Sequence, residues 1–156
     1  MNAKELSAIF RSSGRTLGAI ESLTGGLFCE TITSVPGASH FFKGGIVTYM
    51  TEEKVRLLNI SYEEVDKYGV VSEQIASLMA SRGARMLSTD YCVSFTGNAG
   101  PETMEGKPVG TVYIGFYCYN KVSVYHFELK GTRDEIRKEC VNRAIDILAQ
   151  LISTNN

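Results

Sequence analysis

The chain has 156 residues, of which 44% are hydrophobic and 21% charged, and a formal net charge of −1, the balance of an ordinary globular protein long enough to bury one core. No basic run marks a nucleic-acid or anionic-membrane partner, and no apolar run approaches the roughly 20 residues of a membrane span. Met1–Leu6 lacks the apolar stretch of a signal peptide, so a cytoplasmic chain is expected.

Residues 2–13 suit a leading helix with Leu6, Ile9 and Phe10 on one face and Gly14 just beyond. Leu17–Ile20 reads as a short buried strand, and Leu27–Ile32 has the apolar spacing of a helix. Between them, Glu21-Ser22-Leu23-Thr24-Gly25-Gly26 makes a strand-to-helix turn. A hydroxyl there lies in the positive field of a helix N-terminus, and the N–H groups of Thr24, Gly25 and Gly26 are free to face a ligand or a developing oxyanion. The plainer alternative is that the hydroxyls only cap the helix and the glycines only permit close packing.

Pro36-Gly37 closes that helix, Ser39–Phe42 forms a short turn, and Gly44–Tyr49 is a second strand entered through glycines. Thr51 opens a helix with Val55, Leu57 and Leu58 on its apolar face, and Ser61–Glu64 has the spacing of a capping box for another that ends near Gly69. A longer helix starts at Ser72-Glu73. Tyr91–Thr96 is a third strand that runs into Gly97-Asn98-Ala99-Gly100-Pro101, a loop continuing to Pro108. Gly110–Cys118 and Lys121–Leu129 form a hairpin turning near Tyr119-Asn120, and Thr132–Glu135 caps a last helix before a frayed tail, Ser153–Asn156. Alternating strands and helices followed by a hairpin predict one α/β domain over residues 1–156, layered, with a mixed sheet and helices on both faces.

Three polar loops, at Ser22–Gly26, Tyr49–Lys54 and Gly97–Pro101, follow predicted strands, where sites gather in open α/β sheets. If Tyr49 and Lys54 meet Ser22, they make a serine nucleophile with a lysine or tyrosine to take its proton, a set that needs no histidine. Taken singly, Lys54 reads as a solvated helix lysine and Tyr49 as a packed aromatic. The glycine N–H groups of Gly97–Gly100 can cradle a phosphate or carboxylate, or simply make a tight turn. Arg133 and Arg137 open the last helix and are either partners of a substrate anion or surface charge. His40 and His126 read as structural or surface residues. Cys29, Cys92, Cys118 and Cys140 show no Cys-x-x-Cys and no zinc-ligand spacing, and read as reduced buried thiols.

Glu21–Gly26, Gly45-Ile46-Val47-Thr48-Tyr49, Gly69-Val70-Val71-Ser72-Glu73, Gly97–Pro101 and Lys107-Pro108-Val109-Gly110-Thr111-Val112 occur in an order and at spacings that resemble the C-terminal domain of the competence- and damage-inducible protein CinA, the family of nicotinamide mononucleotide deamidases. The resemblance covers nearly the whole chain. It implies a three-layer α/β/α sandwich and a homo-oligomeric, usually dimeric, enzyme. The implied reaction converts nicotinamide mononucleotide to nicotinate mononucleotide and ammonia in the pyridine nucleotide cycle, with no metal and no cofactor. The family occurs fused to a molybdopterin-binding-like domain or alone, and this chain matches the stand-alone form. Carried over by position, Ser22 is the nucleophile and Tyr49 and Lys54 activate it; for the substrate's phosphate, the glycine loop of Gly97, Asn98, Ala99 and Gly100 is the first choice on the chemistry of its N–H groups.

The chain departs from the family pattern at several positions. Leu23 stands where Cys or Ala is common, and Met50-Thr51-Glu52-Glu53 replaces a Ser/Thr/Asp-Asn start to the segment before Lys54. Residues 102–106 lack a Gly-Gly, and Asn98 replaces Ile or Val. Two alternatives therefore stand beside the deamidase: a nucleotide-binding module with weak or no turnover, and an amidase for another small amide.

Overall fold

The computed structural model describes residues 1–155. Five strands, β1 (Leu17–Glu21), β2 (Phe42–Val47), β3 (Tyr91–Gly97), β4 (Thr111–Cys118) and β5 (Lys121–Glu128), form one sheet in the order β2-β1-β3-β4-β5. β1 pairs in parallel with both β2 and β3, and β3, β4 and β5 are antiparallel. The sheet is therefore mixed, as the alternation of elements predicts.

Helices α1 (Ala3–Ser13), α2 (Leu27–Thr33) and α6 (Arg133–Thr154) pack on one another across one face of the sheet. On the other face α5 (Glu73–Leu87) spans all five strands, with α3 (Thr51–Leu58) and α4 (Tyr62–Tyr68) against it. The period of two in a strand divides the core accordingly. Leu17 and Ala19 of β1 and Tyr91, Val93 and Phe95 of β3 join the α1/α2/α6 side, whereas Ile20 and Cys92 turn to α5. β1 is buried along its whole length, and β3 along all but its last residue, because helices cover both of their faces.

Local signals account for the helix ends. Asn2 with Glu5, Ser61 with Glu64 and Thr132 with Glu135 make capping boxes, and Gly14 ends α1 in the left-handed region. α6 runs on through Ser153 and Thr154 where a frayed tail was expected, since Ile152 is still buried in the core and each hydroxyl bonds a carbonyl one turn back; the last tail residue, Asn156, lies outside the described residues. β2 begins at Phe42 and stops at Val47, two residues earlier at each end than its sequence pattern predicts. The carbonyls of Thr48 and Tyr49 are turned to a lysine ammonium, so the chain leaves the ladder before Tyr49.

Topology positions the site. The chain leaves β1 toward β2 on one side and later returns to β3 on the other, which makes the carboxyl end of β1 the point where the winding reverses. In open sheets the ligand crevice lies there. The loops after β1, β2 and β3 are those that carry Ser22, Tyr49–Lys54 and Gly97–Pro101.

Candidate active site

Ser22 follows the last residue of β1, in the turn that leads into α2. The shape of this turn is set by Glu21, a fully buried carboxylate. Its Oε1 accepts the N–H groups of Gly26 and Phe28 at 3.1 Å each, and its Oε2 accepts that of Cys29 at 3.0 Å. Glu21 thus saturates the start of α2 with a negative charge, the favoured sign at a helix N-terminus. Gly26 sits at φ 107°, a conformation that admits glycine and little else. From α6, Arg137 donates through Nε to the Leu23 carbonyl and through Nη2 to the Thr24 carbonyl, both at 2.9 Å. The turn is gripped at both edges.

This arrangement changes the expected role of the turn's N–H groups. The Gly25 N–H bonds the Ser22 carbonyl and the Gly26 N–H bonds Glu21, so neither faces a ligand. Among the described residues, the N–H groups of Leu23 and Thr24 have no acceptor. Arg137 is likewise committed to two main-chain carbonyls, and acts on the turn in preference to an anion.

Lys54 lies on α3 with only 2% of its surface exposed. Its Nζ stands 3.0 Å from Ser22 Oγ, 2.6 Å from the Thr48 carbonyl and 3.4 Å from the Tyr49 carbonyl. Burial lowers its pKa from 10.5 to about 8, against an upward pull from Glu105. An ammonium here donates three hydrogen bonds to three oxygens. A neutral amine keeps its two N–H bonds to the carbonyls and turns its lone pair to the Ser22 hydroxyl. The cage suits both protonation states, as a general base requires.

Tyr49 meets this pair through its backbone. Ser22 Oγ lies 3.5 Å from the Tyr49 carbonyl, while the Tyr49 residue is 56% exposed and its hydroxyl accepts from Arg133 Nη2 at 2.8 Å. Arg133 Nη1 also donates to the Gly100 carbonyl at 2.6 Å, tying the third loop to Tyr49. In that loop the Gly97 backbone belongs to the β3–β4 ladder, and the Asn98 N–H bonds the Thr111 carbonyl. The Asn98 side chain is spent on Met104 and Lys107. Ala99 and Gly100 keep N–H groups with no acceptor among the described residues.

Two chambers share Ser22 in their linings. One, of about 550 Å³, holds Lys54 and has Val70, Val71 and Met104 as apolar wall, with Thr96 at the end of β3. The other, of about 460 Å³, runs along Ala99 and Gly100 to Arg133. Sequence reasoning gave no role to Glu21, Thr96 or Val70–Val71, although Glu21 and the two valines stand in motifs that carry the family resemblance. A carboxylate ending an apolar strand just before the serine was the signal available for Glu21; Thr96 and the valines look like any strand or helix-entry residue.

The four cysteines are free, and burial raises all four thiols, Cys118 to about 11 and Cys140 to about 12. None is poised as a nucleophile. Among the described residues no three His, Cys, Asp or Glu side chains are grouped to hold a metal, and no helix is long and apolar enough to cross a membrane.

The family model of the CinA C-terminal domain matches residues 1–152. A CinA-like protein of Petrotoga mobilis is 44% identical over 131 residues, 83% of this chain and 32% of that protein. A putative competence-damage inducible protein of Bacillus subtilis is 38% identical over 149 residues, 96% of this chain and 36% of that one. The chain thus spans about a third of the length of the curated relatives it matches. Among solved structures, a CinA superfamily protein of Escherichia coli has a TM-score of 0.93 at 27% identity, covering 96% of this chain and 87% of that one. A competence/damage inducible protein of Agrobacterium tumefaciens has a TM-score of 0.88 at 30% identity, with 96% and 94% covered.

Proposed function

This chain belongs to the CinA C-terminal domain family, and from that premise we propose that it is an amidohydrolase that converts nicotinamide mononucleotide to nicotinate mononucleotide and ammonia. The observation that carries the reading is Lys54 Nζ, buried and 3.0 Å from Ser22 Oγ where two chambers meet. Neutral Lys54 takes the Ser22 hydroxyl proton as Oγ bonds to the carboxamide carbon. The tetrahedral oxyanion is held by main-chain N–H groups, with those of Leu23 and Thr24 the free donors of the turn. On collapse the C–N bond breaks and the Lys54 ammonium returns the proton to the amide nitrogen, which leaves as ammonia. Water then adds to the Ser22 ester, Lys54 again accepts the proton, and the acid departs as Ser22 recovers it.

The two chambers divide the substrate by polarity. The wall of Val70, Val71 and Met104 suits the flat face of a pyridine ring, and the N–H groups of Ala99 and Gly100 with Arg133 suit a phosphate. Gly97 and Asn98 form the base of that loop, and Arg137 with Gly25 and Gly26 hold the serine turn. Tyr49 serves through its carbonyl on Lys54 and its hydroxyl on Arg133. The reading carries with it a cytoplasmic homo-oligomer, usually a dimer, working without metal or cofactor.

A second reading, an amidase for another small amide, is favoured by the exposed Met50, Tyr62 and Met104 beside the first chamber. Ammonia release from nicotinamide mononucleotide, measured for the wild type and for Ser22→Ala and Lys54→Ala, tests the proposal. Activity lost in both variants supports it; a silent wild type, or a Ser22→Ala chain as fast as the parent, overturns it.

A further inference from the structure

The loop between β3 and β4 is fastened by a carboxylate that neither the topology nor the nucleophile explains. Glu105 Oε2 accepts the Val70 N–H at 2.7 Å and its Oε1 accepts the Val71 N–H at 2.9 Å. Lys107 completes the clasp, with Nζ donating to the Val71 carbonyl and standing 3.5 Å from Glu105 Oε1. The fit is close. A Cβ at Gly69 would lie 2.6 Å from Glu105 Oε1, and Gly69 itself has φ 76°. Glu105 also holds φ 61°, which a non-glycine residue adopts at some expense. The Asn98 side chain bonds Met104 and Lys107 on either side of it.

What is clasped is the site. Val70 and Val71 wall the Lys54 chamber, and Met104, next to Glu105, lines both chambers. We propose that Glu105 is a positioning residue for the site of the Ser22–Lys54 pair: it clips the loop after β3 onto the Val70–Val71 wall of the chamber that holds Lys54. The other titratable side chains lining that chamber are Glu52, Tyr49 and Tyr62, and Lys107 stands beside Glu105. Glu105 is the charge that acts on Lys54, upward and against burial. Its carboxylate stabilises the ammonium that forms when Lys54 takes the Ser22 proton, and so offsets part of the burial that would leave the amine too weak a base.

The inference rests on the amidohydrolase reading for its purpose, and its test does not. The ionisation of Lys54 is followed by NMR of ¹³Cε-labelled lysine, the resonance assigned with Lys54→Met, in the wild type, Glu105→Gln and Glu105→Asp. Loss of the charge in Glu105→Gln is expected to lower the proton affinity of Lys54 two-fold or more, while Glu105→Asp, which keeps the charge on a shorter arm, stays nearer the wild type. Amide hydrogen exchange at Val70 and Val71 accelerates in both variants as the clip weakens. An unmoved or raised Lys54 midpoint in Glu105→Gln, an equal fall in Glu105→Asp, or unchanged exchange at both valines overturns the proposal. If no chain releases ammonia from any amide, the amidohydrolase reading fails, and the titration still decides what Glu105 does.

Discussion

At the scale of the residue, the proposed reaction turns on where a proton rests. With a pKa of about 8, about a tenth of Lys54 is neutral at pH 7 and about nine tenths at pH 9. Ammonia release per enzyme is therefore expected to rise about tenfold between those values, and a rate flat across the interval would remove Lys54 as the base. The same shift links to stability. Below pH 8 folded and unfolded chains both carry the proton, and the burial penalty on the ammonium is present in full. Between 8 and 10.5 the unfolded chain binds more protons than the folded one, so stability rises with pH. The fall from 10.5 to about 8 corresponds to about 3 kcal/mol. Lys54→Met escapes that penalty but leaves the Thr48 carbonyl without its donor, a loss of about 1–3 kcal/mol. The variant is expected to be inactive and at least as stable as the parent at pH 7. Its melting temperature should then drop relative to the parent by roughly 6–12 °C as pH approaches 10.5; a pH-independent difference in melting would contradict the buried, titrating lysine.

At the scale of the element, the serine turn is a piece of backbone held by two charges from outside it. Glu21→Ala would leave the N–H groups of Gly26, Phe28 and Cys29 without their acceptor. A loss of about 3 kcal/mol, or roughly 6–12 °C in melting temperature, is expected by calorimetry. Arg137 acts on geometry more than on stability. A lysine cannot supply its two-pronged grip on the Leu23 and Thr24 carbonyls. Arg137→Lys should lower turnover about tenfold to a hundredfold with little change in melting, and an Arg137→Lys chain of wild-type rate would show that the turn holds itself. These two residues also mark where sequence reasoning stopped. The turn was legible because an apolar run, a polar break and paired glycines are local signals. That the Gly26 N–H is already taken was not, because its acceptor is the residue before the serine, folded back against its own helix. Tyr49 illustrates the same limit: a phenol invites a role in proton transfer, yet its carbonyl is what reaches Lys54.

At the scale of the whole molecule, the sheet order explains why three loops far apart in sequence share one place. Periodicity and capping residues made nearly every helix and strand visible, and the mixed sheet followed from a hairpin after parallel units. The reversal of winding at β1 is a property of pairing, which no window of residues carries. It also brings together the loops that line the two chambers sharing Ser22, so a ligand that fills both is expected to raise global stability. Ser22→Ala, which cannot form the ester, should bind nicotinamide mononucleotide across both chambers. At a hundred times its Kd the nucleotide should stabilise the fold by about 2.7 kcal/mol, a rise of roughly 5–11 °C in melting temperature for a chain of this size. The proposed phosphate contact of Arg133 makes a further demand. Arg133→Met loses the bond to the Gly100 carbonyl and the charge beside the loop, so the nucleotide should shift its melting far less at the same concentration, while nicotinamide riboside, which lacks the phosphate, should affect parent and variant alike. Equal shifts by nucleotide and riboside in the parent would place the phosphate outside the second chamber and leave the ring chamber as the recognition site.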